Sequence, residues 1–190
     1  MTNTTHDPFA PIAPKLKTAS PCTLVITEKG LSLIKQEVIV KDTKNKILFK
    51  VTSSLFSMGH HRTIHDAKGK RIGQVRRKNA PFSYETFYMG TMDDDTRCSM
   101  KMKNLLNFDK CEADLYLGAD VIGEVSGEIN STAFSIKINN TIVADVKKKA
   151  NTSLLVEDET FRININQGVD SAFVVMIMIV FHEMYENNRK

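Results

Sequence analysis

Between His60 and Ala80 stand seven Lys or Arg residues (Arg62, Lys68, Lys70, Arg71, Arg76, Arg77 and Lys78) and one acid, Asp66. That is a local excess of six positive charges in a chain whose net charge is only +4. A guanidinium group can bind two phosphate oxygens at once, and an ammonium group adds a point charge beside it. Lys68, Lys70, Arg71, Arg76, Arg77 and Lys78 are therefore candidate ligands for a phosphate, an anionic lipid headgroup or an acidic protein partner. A second basic rim is expected at Lys147, Lys148 and Lys149, where exposed lysines also serve as ordinary devices against edge-to-edge strand pairing. On a regular strand Arg76 and Lys78 point to one side and Arg77 to the other, so the triplet is not one flat patch.

Other reactive residue types fall into less productive patterns. His61 and His65 would share a strand face while His60 would not, and no fourth ligand accompanies them, so no metal site is expected. Asp93, Asp94 and Asp95 lack the spacing of a calcium loop and read as an acidic turn. Cys98 and Cys111 have no activating histidine and acid nearby, and no nucleophile elbow, phosphate loop or dinucleotide turn occurs. The chain offers no catalytic residue and no cofactor motif, which points away from an enzyme and toward a binding or scaffolding module.

The elements that hold these residues are mostly strands. Ile47, Phe49 and Val51 alternate with polar residues, as do Phe134, Ile136 and Ile138, and Phe161, Ile163 and Ile165; this period of two buries one face and wets the other. Turn signals recur at Glu28-Lys29-Gly30, Asp42-Thr43-Lys44-Asn45, Asp66-Ala67-Lys68-Gly69, Asn139-Asn140 and Gly168, which predicts about a dozen short antiparallel strands in a barrel or a sandwich. Gly73 is a candidate bulge that brings Ile72 and Val75 to one face.

The last element breaks the alternation. From Ala172 to Phe181 every residue is apolar, with Asp170 or Ser171 placed as an N-cap. Ten apolar residues are too few for a membrane span of about 20. A helix apolar on all sides needs burial on all sides, so Phe173, Met176, Ile177, Val180 and Phe181 are expected inside a closed barrel. His182 follows as a partly buried histidine near the helix end.

Val40-x-Asp42 through Leu48-Phe49-Lys50-Val51, Leu55-Phe56-Ser57, Ile64-x-Asp66-Ala67-x-Gly69, Arg76-Arg77-Lys78, Glu159-Thr160-Phe161-Arg162-Ile163 and Gly168-Val169-Asp170 resemble, in that order, the LURP-one-related family. A departure is Gln167, where the family pattern has proline. The resemblance implies the tubby-like C-terminal domain fold shared with phospholipid scramblases: a mainly β, about 12-stranded antiparallel barrel enclosing a central hydrophobic C-terminal helix. It implies contact with phosphoinositides or anionic membrane surfaces. A second reading is a nucleic-acid-associated regulator of transcription or defence, although aromatic and basic residues do not interleave as base stacking requires. The polar opening MTNTTHDPFAPIAPK lacks the basic, apolar and small-residue series of a signal peptide. Three cysteines without paired spacing fit a reducing compartment, so an intracellular, cytoplasmic protein, peripheral at a membrane, is expected. Residues 1–21, with four of the five prolines, read as a flexible arm preceding a barrel domain over 22–190, and deletion of Met1 to Pro14 is expected to leave the melting temperature nearly unchanged.

Overall fold

The computed structural model describes residues 7–28, 37–53, 61–78, 86–91, 96–103, 110–128, 133–149 and 159–187. Within them the alternating segments become β1 (Cys22–Glu28), β2 (Glu37–Asp42), β3 (Ile47–Ser53), β4 (His61–Asp66), β5 (Arg71–Lys78), β6 (Thr86–Gly90), β7 (Thr96–Met102), β8 (Lys110–Leu117), β9 (Asp120–Glu128), β10 (Ala133–Ile138), β11 (Thr141–Lys148) and β12 (Glu159–Ile165). Each strand pairs antiparallel with its neighbours in sequence, and β1 pairs with both β2 and β12. The twelve described strands thus form a closed up-and-down barrel with no free edge.

The helix α1 (Ser171–Asn187) runs through the barrel from the end where β12 finishes. Every residue from Ala172 to Val180 is at most 4% exposed, and Phe173, Met176, Ile177 and Val180 are wholly enclosed, with Phe181 close behind. Inward-facing Leu24, Ile26, Val40, Ile64, Phe87, Met89, Met100, Leu115, Ile136 and Ile163 form the shell around them. Eight strands enclose little more than their own side chains, and eleven already admit a helix; twelve leave room for one with long apolar side chains.

Fitting a helix against a wall requires local thinning. A Cβ added at Gly73 on β5 would stand 2.2 Å from Met176 Cε, so the absence of a side chain lets that methionine lie on the strand. The β4–β5 pairing also shifts register beside this glycine, from Ile64 opposite Gly73 to His65 opposite Arg71. Ile72 is the extra residue of that bulge, and it packs partly buried against the core that contains Val75.

The expectation of a free arm is corrected for its described part, residues 7–21. Ala10 and Ile12 are buried at 2% and 4% exposure, and Ile12 reaches the Gly73–Met176 contact. Asp170 supplies the anchor. Its Oδ1 accepts hydrogen bonds from the N–H groups of Ala172 (2.9 Å) and Phe173 (3.3 Å), capping the helix. Its Oδ2 accepts from Ala13 N–H at 2.6 Å, and its own N–H donates to the Phe9 carbonyl at 2.9 Å. Arg97 Nη1 donates to the Pro11 carbonyl and Ser171 Oγ to that of Leu16. Proline-rich composition suggested an unstructured leader because the partners of its main chain lie about 160 residues away in sequence.

Deleting residues 1–13 removes Ile12 from the core, a burial of about 1.5–3 kcal/mol, and a charge-assisted hydrogen bond of about 1.5–3 kcal/mol. A fall in Tm of roughly 6–24 °C is expected for a domain of this size. An unchanged melting temperature would show that the arm contributes nothing to the barrel.

Candidate functional site

The barrel divides the basic stretch of the sequence into three places. Arg71 and Arg76 stand at opposite ends of β5, roughly 16 Å apart at about 3.3 Å per strand residue. Lys68, Lys70 and Arg71 belong to the end where α1 begins, and all three are exposed. Arg76 lies on the outer face at the other end, paired in register with His61 and Tyr88, and Lys78 closes the strand there.

Two of the seven cations turn inward. Arg62 stands opposite Val75 on the inner face, and its Nε lies 3.2 Å from Glu183 Oε2, with both side chains almost excluded from water. Arg77, opposite the fully buried Phe87, shares that inner face. Arg62 thus neutralises a carboxylate carried by the enclosed helix, and its charge is spent inside the barrel.

The exposed cations at the helix-start end gain neighbours from a second hairpin. In the β2–β3 turn, Asp42 Oδ1 accepts from the N–H groups of Lys44 and Lys46 at 2.9 Å each. In the β4–β5 turn, Asp66 Oδ1 accepts from those of Lys68 and Lys70, again at 2.9 Å. The left-handed residue that closes the turn is Asn45 in one (φ 65°) and Gly69 in the other (φ 82°). Each acid is folded back onto main-chain amides, and the lysine side chains project from the tip. Because β3 pairs with β4, the tips sit side by side, about two strand spacings or roughly 10 Å apart. Lys44, Lys46, Lys68, Lys70 and Arg71 make one exposed basic edge, and none of them forms an ion pair among the described residues. Lys44 and Lys46 were not singled out from the sequence, although the repeat Asp42-Thr43-Lys44-Asn45-Lys46 and Asp66-Ala67-Lys68-Gly69-Lys70 carries the signal.

The second rim also splits. Lys148 faces inward opposite Phe161, its Nζ 5.8 Å from the ring centroid. Lys147 and Lys149 stay on the outer wall. There they join Arg162 and Thr160 of β12 and Val25 of β1 around a shallow pocket. Lys147 is directly opposite Arg162, Arg162 opposite Val25, and Val25 opposite Lys41. Arg162, Thr160 and Lys41 were not nominated from sequence because their approach depends on strand register.

The remaining candidates are structural. Burial pushes the Cys98 thiol up to about 12 and the Cys111 thiol to about 11, so neither is a thiolate at neutral pH. His61 Nε2 contacts Gln74 Oε1 at 3.0 Å, and His65 is held between Thr52 and the Gly69 carbonyl. Among the described residues no group of three His, Cys, Asp or Glu side chains is placed to hold a metal. His182 lies edge-on to Phe161 at 5.1 Å. His60 and Asp93, Asp94 and Asp95 lie outside the described residues.

A family model described as LURP-one-related matches residues 22–182. Similar proteins from Arabidopsis thaliana include Protein LURP-one-related 9, 26% identical over 174 residues, with 83% of this chain and 88% of that protein covered. Protein LURP-one-related 15 is 22% identical over 189 residues, covering 94% of this chain and 87% of its own. An X-ray structure of an Arabidopsis thaliana protein superposes with a TM-score of 0.66 at 18% identity, over 92% of this chain and 98% of the other. At that identity the likeness carries the fold alone.

The Arg62–Glu183 pair allows a direct check of the inward assignment. Arg62→Ala should cost about 3–5 kcal/mol because it strands the Glu183 charge inside the barrel. Replacing both, as Arg62→Met with Glu183→Leu, should recover most of that loss. Equal melting temperatures for wild type and Arg62→Ala would place Arg62 at the surface instead.

Proposed function

Because this chain belongs to the LURP-one-related family, whose barrel here is filled by its own helix, we propose that it is a non-enzymatic binding module that rests one end of the barrel on an anionic membrane surface and favours phosphoinositide headgroups. The observation that supports this reading is the pair of adjacent hairpin tips carrying Lys44, Lys46, Lys68, Lys70 and Arg71, with both nearby acids turned onto the main chain. Short, rigid turns hold five cations at one end of the molecule, and each basic residue close to an anionic leaflet contributes about 1 kcal/mol. The resemblance to tubby-like domains set out above points the same way.

The non-enzymatic part of the reading draws on the packing. The helix occupies the interior where a barrel would otherwise hold a substrate, and the buried thiols are protonated. No described helix is long and apolar enough to cross a membrane, so the contact proposed is a surface contact. A regulator that reads nucleic acid through an α-helix in a groove finds little support, since the described α-helix is enclosed.

The test is co-sedimentation with phosphatidylcholine vesicles, with and without phosphatidylinositol 4,5-bisphosphate. Binding should favour the anionic vesicles and weaken as salt rises, since exposed charges are screened over about 8 Å at physiological ionic strength. Reversing one lysine at each tip, as Lys44→Glu with Lys68→Glu, should preserve Tm and lower affinity more than tenfold. If wild type shows no preference, or the double variant binds equally well, the membrane reading fails and an acidic protein partner becomes the better occupant of the same edge.

A further inference from the structure

Charges on the outer wall of the barrel are mostly compensated. Lys103 Nζ lies 2.9 Å from Asp114 and 3.1 Å from Glu124, and Lys137 Nζ lies 3.1 Å from Glu124, so the two like-charged carboxylates that stand opposite one another are shared between two lysines. Lys50 similarly pairs with Glu37. The strip formed by β11, β12 and β1 departs from this arrangement. Lys147 and Arg162 are directly opposite one another, a placement in which like charges destabilise a sheet. Lys149 adds a third positive charge two residues along, where its N–H donates to the Thr160 carbonyl. Among the described residues none of these three cations has an ion-pair partner. The nearest carboxylate in register, Asp145, lies in the next row, opposite Asn164, which is itself hydrogen-bonded to Thr23.

The same side chains surround a pocket of about 330 Å³, within the size range of small-molecule sites. It is lined by Val25, Lys147, Lys148, Lys149, Thr160 and Arg162. The part-buried Val25 among these cations lowers local solvation, which strengthens attraction between the cationic heads and an anion. Arg162 supplies a planar fork for two oxygens, the lysines supply point charges, and Thr160 supplies a hydroxyl.

We propose that this pocket binds the phosphate group of a small phosphorylated ligand, which relieves the repulsion between Lys147 and Arg162. The inference extends the anion-binding reading above but occupies a different part of the barrel. Val25 in the pocket lining stands opposite Lys41, one residue before Asp42 of the β2–β3 turn. Pocket and tips are thus neighbours on the wall, and the soluble phosphate ester proposed here is told from a membrane headgroup by the vesicle arm of the test.

The experiment is calorimetric titration with inositol 1,4,5-trisphosphate at physiological ionic strength, together with thermal melts and the vesicle assay. Wild type should bind saturably at one site and melt at higher temperature when the trisphosphate is present. Lys147→Glu places a carboxylate opposite Arg162; it should leave the unliganded Tm unchanged or raised while reducing trisphosphate affinity at least tenfold. Arg162→Gln should reduce affinity likewise, which keeps the test valid if either variant folds poorly. The Lys44→Glu, Lys68→Glu variant should bind trisphosphate as wild type does, so failure at the hairpin tips and failure at the pocket are read separately. Absence of binding by wild type, or unchanged affinity in folded Lys147→Glu, overturns the site. Loss of vesicle binding on Lys147→Glu overturns the assignment to a soluble ligand.

Discussion

A helix with no polar face sets the terms for the whole molecule. From Ala172 to Phe181 there is no side chain that gains from water, so the helix is stable only where apolar groups meet it on every side. A sheet covers one side of a helix, whereas a closed barrel covers all of them. The helix in turn fills a barrel too wide to fill with its own inward side chains. Neither element buries its apolar surface without the other.

Enclosure leaves the helix ends as the polar problem, and the two ends are solved differently. At the start, Asp170 caps the first amides and captures the main chain of the arm. Burial, the largest influence, raises the pKa of this carboxyl, and four amide hydrogen bonds oppose that effect. At the other end Glu183 meets Arg62 of the wall. A buried pair of this kind seldom adds net stability over apolar packing, but it is costly to break. Among the described residues, cations without ion-pair partners gather at the hairpin tips and beside β12, outside the filled interior.

Much of the fold was legible because it follows from local periods. Alternation at Phe49, Ile136 and Ile163 set inward faces, and the unbroken apolar run with Asp170 before it set the helix and its cap. The glycine at position 73 announced the bulge. The arm was not legible, since Ile12 and Ala13 become structural only through partners at Gly73, Met176 and Asp170. The basic residues were only half legible. Composition identified them, but strand parity sent Arg62, Arg77 and Lys148 inward, and barrel length separated Arg71 from Arg76. Lys147 and Arg162 meet because β11 and β12 pair in one register; a slip of one residue would send one of them to the other face. The hairpin repeat was written in the sequence at 42–46 and 66–70, yet its meaning depends on the two turns lying side by side.

The described helix and barrel form one cooperative unit around a filled interior. Native-state hydrogen exchange of the amides from Val174 to Met184, followed over a range of sub-denaturing guanidinium, tests this most directly. These amides are expected to exchange only through global unfolding, with the same free energy and the same denaturant slope as the central residues of β1, β5 and β12. Exchange of the helix amides at a markedly lower free energy with a shallow slope would show that the helix leaves or loosens while the barrel stays closed, and would contradict it.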